Sequence, residues 1–422
     1  MVTLSKLRTA GRLSKLLLVM VGAVMLLALA ACGGEPVPTP TTTATSVPTA
    51  TPTKAAQTPT ATSAPVSTAT PTPRRDIDSI PRTTSKSMTL TGAGATFPFP
   101  LYSKFSAEYN KLNPGIKINY QSIGSGGGIN QVIQKTVDFG GTDGPMNAEQ
   151  KTSAGSTVLH IPMAMGAVVP AYNLSGSPQI RFSQDTIASI YLGKITKWND
   201  PKIAADNPGV TLPNQDIAVV YRSDGSGTTF IWTDYLANVS QEWKDKVGTA
   251  TSVSWPTGLG AKGNEGVANQ VGQIPGAVGY VELAYAKQNN LRFAQLKNKA
   301  GNWITPSLET TSAAAAGMIA AGEFPENMEA RVVNAAGANS YGAAGFTWIL
   351  IYQDLSVLPQ MNLERAQELI RYALWSLDRV GGQQYHASLD YAPLDPLVVN
   401  MAKEKLKTVT FKGTPVWETM LP

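Results

Sequence analysis

Short apolar segments alternate with glycine-rich turns and amphipathic segments from Met88 onward. SMTLTGAGATF predicts a strand that enters a glycine turn, and FPFPLYSKFSAEYNKL then carries Tyr102, Phe105 and Tyr109 at helical spacing. IKINYQSIGSGGGINQV and DIAVVYRSDGSGTTFIW repeat this strand-turn-helix pattern, and VDFGGTD predicts a further strand that ends at Asp143. This alternation is typical of an α/β fold.

The chain therefore makes similar strand-to-helix corners at Gly92–Phe97, Gly124–Gly128 and Asp224–Thr228. Each corner places backbone N–H groups near a helix start, where the helix dipole favours an anion, and glycine lets the backbone approach a ligand closely. The nucleotide motifs do not match, because GAGATF lacks the third glycine of the dinucleotide fingerprint and GSGTTF lacks the P-loop lysine. The corners predict seats for a smaller anion.

The first 31 residues differ in character from the rest of the chain. Four basic side chains precede an uncharged apolar run at 16–31, which is typical of a secretory signal peptide. The run ends in LALAAC, which resembles a bacterial lipobox, and Cys32 is the only cysteine. We expect cleavage before Cys32, lipidation of that residue, and an exported protein held at the outer face of the cytoplasmic membrane.

Residues 32–87 are almost wholly Pro, Thr, Ala and Ser after the cysteine. Such a segment buries too little apolar surface to offset its ordering entropy, so it predicts a disordered tether. The whole chain has a formal net charge of +5, and four of its positive charges lie in the signal peptide, which leaves +1 for the remainder. Nucleic-acid binding is therefore not expected.

Few residues are available for enzyme chemistry. The chain has two histidines, His160 in the apolar VLHIPMAM and His386 in QQYHAS, and both are expected to be structural. With one lipidated cysteine and no Asp/Glu cluster, neither a metal site nor a Cys–His nucleophile is expected. The residues favour a binding protein without a cofactor over an enzyme, with a secreted phosphatase as the alternative from another class.

Several motifs resemble those of one known family. LTGAGATFPFPLYSKF, QSIGSGGGINQVIQKTVDFGGTD, YRSDGSGTTFIWTDYL, LGKITKWNDP and GAVGYVELAYAKQNNL are similar to the phosphate-binding proteins of bacterial ABC-type phosphate transporters. The resemblance implies a two-domain α/β solute-binding fold of type II, with the ligand in the cleft between the domains. It also implies phosphate capture outside the cytoplasm, delivery to the permease subunits of an ABC transporter, and a monomer.

The resemblance also implies a set of phosphate contacts. Hydroxyl groups, backbone N–H groups and one guanidinium would donate to the ligand, and one carboxylate would accept from it, at Thr96, Phe97, Ser125, Asp143, Arg222, Ser226, Gly227 and Thr228. Asp224 would hold Arg222 in position. Because an ionised carboxylate only accepts, Asp143 would favour a protonated phosphate over sulfate. A receptor for arsenate or sulfate remains the alternative among binding proteins.

The domain boundaries follow from the apolar segments that cross between the two halves. We expect residues 88–166 and 336–422 to form one domain and residues 167–335 to form the second. Two departures from the family pattern are present: Gly342 and Ala343 follow Tyr341 where the family often has Pro-Ile, and Gly126 stands where a serine is common.

Overall fold

The computed structural model describes residues 87–176 and 178–421. The predicted signal peptide at 1–31 lies outside the described residues, as does the predicted tether at 32–87 up to residue 86, with Cys32. The strands are β1 (Met88–Gly94), β2 (Ile116–Ser122), β3 (Phe139–Thr142), β4 (Val158–Tyr172), β5 (Arg181–Phe182), β6 (Ala218–Arg222), β7 (Leu259–Ala261), β8 (Ala277–Glu282), β9 (Arg292–Phe293), β10 (Gln295–Lys297), β11 (Trp303–Ile304), β12 (Ala344–Tyr352), β13 (Thr410–Phe411) and β14 (Thr414–Pro415).

Helices cover the strands and begin close to several strand ends. They are α1 (Phe99–Leu112), α2 (Ser125–Ile133), α3 (Ala148–Ala154), α4 (Gln184–Tyr191), α5 (Pro201–Asp206), α6 (Gly227–Val239), α7 (Gln241–Lys246), α8 (Gly263–Gln273), α9 (Leu283–Gln288), α10 (Leu308–Ala320), α11 (Leu363–Leu377) and α12 (Pro396–Lys407). Among the described residues, none of the helices combines the length and apolar character needed to cross a membrane.

The main sheet has the strand order β2-β1-β3-β12-β4-β8-β6-β7, with β9 added beside β4. At one side β1 pairs in parallel with β2 and β3, and at the other side β6 pairs in parallel with β7 and β8. The strands β12 and β4 join the two parallel groups through antiparallel pairing. The α/β class predicted from the alternating segments is therefore present.

Strand β4 belongs to both halves of this sheet. Its residues 158–167 pair with β12, whereas residues 168–172 pair with β8. The strand is a continuous apolar run in which every residue after Val158 is buried, as expected for a strand covered on both faces. The two parallel groups are thus connected through one long central strand.

Helix α1 shows how the apolar pattern determines local structure. Tyr102, Phe105 and Tyr109 are spaced by three and four residues and are buried together with Leu101, because that spacing places them on one face of the helix. The helix ends at Leu112, just before Pro114, which cannot continue it.

The loops of interest follow the carboxyl ends of parallel strands. Thr96 follows β1, Ser125 follows β2 and Asp143 follows β3. In the second parallel group, β6 ends at Arg222 and Asn264 follows β7. Since parallel strands end at a common edge of their sheet, residues far apart in the chain are collected there.

Candidate anion-binding site

Arg222 and Asp224 form an ion pair at the end of β6, with the arginine buried and the aspartate partly buried. Nε of Arg222 donates to Oδ1 of Asp224 over 2.8 Å, and Nη2 donates to Oδ2 over 2.5 Å. The Arg222 side chain is only 1% exposed. Burial alone would raise the pKa of Asp224, but the hydrogen bonds and charge of Arg222 hold that pKa below its ordinary value. The carboxylate thus fixes the plane of the guanidinium and leaves Nη1 free to reach Thr228 Oγ1 at 3.4 Å.

The next residues start helix α6. Ser226 is the N-cap residue, and its Oγ accepts from Thr229 N over 3.0 Å, so this hydroxyl satisfies a helix donor. Gly227 N donates to Ser125 Oγ over 3.0 Å. A Cβ at Gly227 would lie 2.5 Å from both Asp143 Oδ2 and Ser125 Oγ. Only glycine therefore lets this backbone approach the two side chains.

Ser125 connects the corners that follow β2, β3 and β6. Its Oγ accepts from Asp143 N over 3.2 Å as well as from Gly227 N, and it lies 3.5 Å from Asp143 Oδ2. Nearby, Gly126 N donates to Gly225 O over 2.9 Å. A Cβ at Gly126 would lie 3.0 Å from Gly225 Cα. Glycine at this position, where the similar family commonly has serine, therefore lets the two backbones approach each other directly.

Asp143 is the carboxyl group at the centre of these contacts. It is 1% exposed, and its Oδ1 accepts from Thr347 Oγ1 over 2.8 Å. Burial raises the pKa of Asp143 to about 7, although the Thr347 hydrogen bond, the charge of Arg222 and the Ser125 hydrogen bond all lower it. At neutral pH this carboxyl can therefore hold or release a proton.

Thr96 and Phe97 lie before α1 rather than in its first turn, because the helix begins at Phe99 after Pro98. Thr96 Oγ1 accepts from Asn264 Nδ2 over 2.8 Å and from Asn264 N over 3.2 Å. The Phe97 side chain is fully buried, and Phe97 O accepts from Tyr391 Oη over 2.6 Å. Thr96 is thus joined to the second parallel group of strands, and Phe97 is held by the core of the first.

Two residues of the site were not expected from the sequence. Asn264 follows β7 in the segment AKGNEG, which repeats the strand, glycine and helix order of the other corners and could have been recognised by that order. Thr347 lies in the apolar strand GFTWIL, where the lone hydroxyl was the only signal. Its role depends on the pairing of β12 with β3, which no local pattern predicts.

The two histidines lie among core residues. His386 contacts the carbonyl oxygens of Gln383 and Met163 at 3.1 and 2.9 Å, and burial lowers its pKa. His160 Nε2 accepts from Met146 N over 3.1 Å, and burial lowers the pKa of His160 to about 3. Within 87–176 and 178–421, no group of three or more His, Cys, Asp or Glu side chains is arranged to hold a metal ion.

The chain matches the family described as the PBP superfamily domain over residues 49–373. It is 44% identical over 339 residues to the phosphate-binding protein PstS of Pasteurella multocida, covering 79% of this chain and 95% of that protein. It is also 35% identical over 353 residues to PstS of Methanocaldococcus jannaschii, covering 78% of this chain and 90% of that protein. The chain belongs to the PstS family of phosphate-binding proteins. Its relatives are named for binding rather than for catalysis.

Solved structures agree with this family at the level of the fold. The phosphate-binding protein from Stenotrophomonas maltophilia gives a TM-score of 0.57 at 19% identity, covering 75% of this chain and 94% of that one. A high affinity periplasmic phosphate-binding protein solved with phosphate gives 0.59 at 20% identity, covering 75% of this chain and 93% of that one. The chain has the α/β fold of type II solute-binding proteins, as the sequence motifs predicted.

Proposed function

We propose that this protein captures inorganic phosphate outside the cytoplasm and delivers it to the permease of an ABC-type phosphate transporter. The proposal rests on a buried cluster in which hydroxyl, N–H and guanidinium groups surround one carboxyl group, Asp143. It is supported by membership of a family whose members are named for phosphate binding.

The chemistry of Asp143 points to an anion that carries a proton. A carboxylate beside a bound anion is repulsive unless the ligand can donate a hydrogen bond to it. Monohydrogen and dihydrogen phosphate have such a proton, whereas sulfate at neutral pH has none. The charges of Arg222 and Asp224, which are paired within the cluster, offset each other. Affinity must then come mainly from hydrogen bonds. Each hydrogen bond to a charged group contributes roughly 1.5–3 kcal/mol.

We assign the phosphate contacts to the residues that the family resemblance implies, with Asp224 holding Arg222. The assigned ligand contacts are Thr96, Phe97, Ser125, Asp143, Arg222, Ser226, Gly227 and Thr228. Ser226 is expected to contribute chiefly as the cap of α6, because its hydroxyl already accepts from Thr229 N. Asp143 is the residue that separates phosphate from sulfate.

Calorimetric titration of the purified protein with phosphate, sulfate and arsenate tests this function. Phosphate is expected to bind with micromolar or tighter affinity, which needs about 8 kcal/mol, and sulfate is expected to compete poorly. Arsenate shares both the shape and the proton of phosphate, so it is the strongest competitor expected. Sulfate that displaces phosphate at equal concentration would contradict the proposal, and arsenate binding tighter than phosphate would favour the alternative ligand.

A secreted phosphatase is the alternative from another class, since Arg222 and a serine could also seat a phosphate ester. Release of a coloured product from a chromogenic phosphomonoester would favour it. The relatives' names, which refer to binding, support the transport function instead.

We also propose that residues 88–166 with 336–422 form one domain and that residues 167–335 form the other, so that closure buries the ligand. The division of β4 between two pairing partners after Ala167 supports this boundary. Small-angle scattering with and without phosphate tests closure, and a radius of gyration unchanged by phosphate would count against it.

Export and lipid attachment complete the proposal. Cys32 would carry the lipid at the outer face of the cytoplasmic membrane, and segment 32–87 would hold the binding body, expected to be a monomer, away from the bilayer. Mass spectrometry of the mature N-terminus and fractionation of a Cys32→Ala variant test this. A variant that stays in the membrane fraction would contradict attachment through Cys32.

A further inference from the structure

Each of three hydroxyl groups in the cluster has both of its lone pairs occupied by N–H donors. Ser125 Oγ accepts from Asp143 N and Gly227 N. Thr96 Oγ1 accepts from the backbone and side-chain nitrogens of Asn264. A hydroxyl has two acceptor lone pairs and one proton, so a hydroxyl with both lone pairs occupied can act further only as a donor.

Thr228 completes this arrangement through the same asparagine. Its Oγ1 accepts from Asn264 Nδ2 over 3.0 Å and from Arg222 Nη1 over 3.4 Å. The two hydrogens of the Asn264 amide thus serve two hydroxyls, one on Thr96 and one on Thr228. Thr96 follows β1 in one parallel group of strands, and Thr228 follows β6 in the other.

The orientation of the Asn264 amide is determined by its other contact. Oδ1 accepts from Glu282 N over 2.9 Å, and a backbone N–H can only donate. The atom that faces Glu282 must therefore be the oxygen, so the nitrogen must face the two threonines. Asn264 is fully buried, so these hydrogen bonds are shielded from bulk solvent.

We propose that Asn264 is a positioning residue of the anion site that holds the hydroxyls of Thr96 and Thr228 as hydrogen-bond donors. This rests on the proposed function, because the ligand that receives the two protons is phosphate. Asn264 itself does not contact phosphate. It donates to both lone pairs of Thr96 Oγ1, and together with Arg222 Nη1 it fills those of Thr228 Oγ1. The protons of both hydroxyls therefore remain available to ligand oxygens. Two hydroxyls that could either donate or accept a hydrogen bond thus act as donors to an anion.

Replacement by aspartate reverses this chemistry at nearly constant shape. In Asn264→Asp, an oxygen faces the threonines and accepts their protons, so both hydrogen bonds to phosphate are lost. The dissociation constant for inorganic phosphate, measured by calorimetry, is expected to rise at least about 100-fold, because each hydrogen bond to a charged group is worth roughly 10- to 150-fold in affinity. Asn264→Ala leaves the hydroxyls free to rotate, and a smaller rise of about tenfold is expected.

Asn207→Asp is the matched control. Asn207 is also buried, and its amide forms hydrogen bonds with the backbone of Arg181 and Ile203. This variant is expected to lower the unfolding temperature without changing phosphate affinity. If Asn264 were merely structural, phosphate affinity would follow thermal stability across the three variants. The proposal instead expects Asn264→Asp to bind phosphate more weakly than Asn264→Ala whatever their relative stabilities.

Asn264→Asp also introduces a negative charge that could repel phosphate. A second background, Thr96→Val with Thr228→Val, separates that repulsion from the loss of the hydroxyl protons. There Asn264→Asp has no hydroxyl proton to take, so its effect is expected to shrink to less than about threefold. Phosphorus nuclear magnetic resonance follows binding that is too weak for calorimetry. An undiminished effect in this background would overturn the proposal, as would phosphate affinity unchanged in Asn264→Asp or Asn264→Ala. Failure of the unmodified protein to bind phosphate would overturn the proposed function itself, and this inference with it.

Discussion

Thr347 Oγ1 donates a 2.8 Å hydrogen bond to Oδ1 of Asp143, although the two residues are 204 positions apart in the chain. Thr347 is fully buried on β12, at a point where the pairing with β4 shifts register between Thr347 and Trp348. The bond occupies one carboxyl oxygen and leaves Oδ2 beside Ser125 and Gly227. Asp143 therefore presents a defined oxygen to the site.

Replacing Thr347 by valine is expected to weaken phosphate binding by about tenfold, since one hydrogen bond to the carboxylate is lost. The lost bond also raises the pKa of Asp143 further, so a larger fraction is protonated at neutral pH. A protonated Asp143 can donate to sulfate, and the preference for phosphate over sulfate is expected to decrease. Competition calorimetry measures both effects, and Thr347→Ser, which keeps the hydroxyl, is the control. If the preference for phosphate over sulfate were unchanged in Thr347→Val, this role of Thr347 would be contradicted.

Arg222→Lys is expected to weaken phosphate binding by at least about 100-fold, because lysine cannot pair with Asp224 in bidentate fashion and still reach the site. Arg365 and Asp138 provide a matched pair, with Nε–Oδ1 and Nη2–Oδ2 distances of 2.8 and 2.5 Å. Arg365→Lys should lower stability and leave phosphate affinity unchanged. Equal losses of affinity in the two variants would show that the Arg222 effect is only structural.

Gly227→Ala places a methyl group 2.5 Å from Asp143 Oδ2 and Ser125 Oγ. The side chains must move apart, so we expect a loss of about 1–3 kcal/mol in the free energy of unfolding and a loss of phosphate affinity of at least about tenfold. Gly317→Ala is the control, because Gly317 lies within α10 with nothing within 4 Å of an added Cβ. That variant should gain up to about 1 kcal/mol. Normal phosphate affinity in Gly227→Ala would contradict the close approach.

Asp143 should make the stability of the phosphate-free protein depend on pH. Its pKa is about 7 in the folded state against 3.8 as the ordinary value, so between these pH values the folded state holds more protons than the unfolded state. The free energy of unfolding should therefore fall as pH rises from about 4 to 7, by up to about 4 kcal/mol from this group. Burial also raises the pKa of Glu282, so the measured quantity is the difference between the protein and Asp143→Asn across pH in urea unfolding. Parallel pH profiles for the two proteins would refute the prediction.

The apolar and glycine pattern is enough to predict the strand-turn-helix corners. Glycines and small polar residues at strand ends determine the backbone locally. For that reason the sequence alone predicts the corners at Ser125 and Arg222. The Arg222–Asp224 contact spans two positions and is also local. The similarity of these motifs, taken in their order along the chain, then predicted the family and its fold.

The tertiary structure decided which of these corners meet and what joins them. Asn264 contacts Thr96 across 168 positions, and Thr347 contacts Asp143 across 204. Both contacts depend on sheet order and register, which arise from long-range pairing of β7 with β6 and of β12 with β3. Local propensity and spacing contain no information on that pairing. The sequence by itself determined which donor groups and which carboxyl group stand at the strand ends, and its resemblance to a family predicted that they form a site. Only the packing of the two strand groups decided which hydroxyl lone pairs are occupied by N–H donors, because an oxygen's role depends on its neighbours.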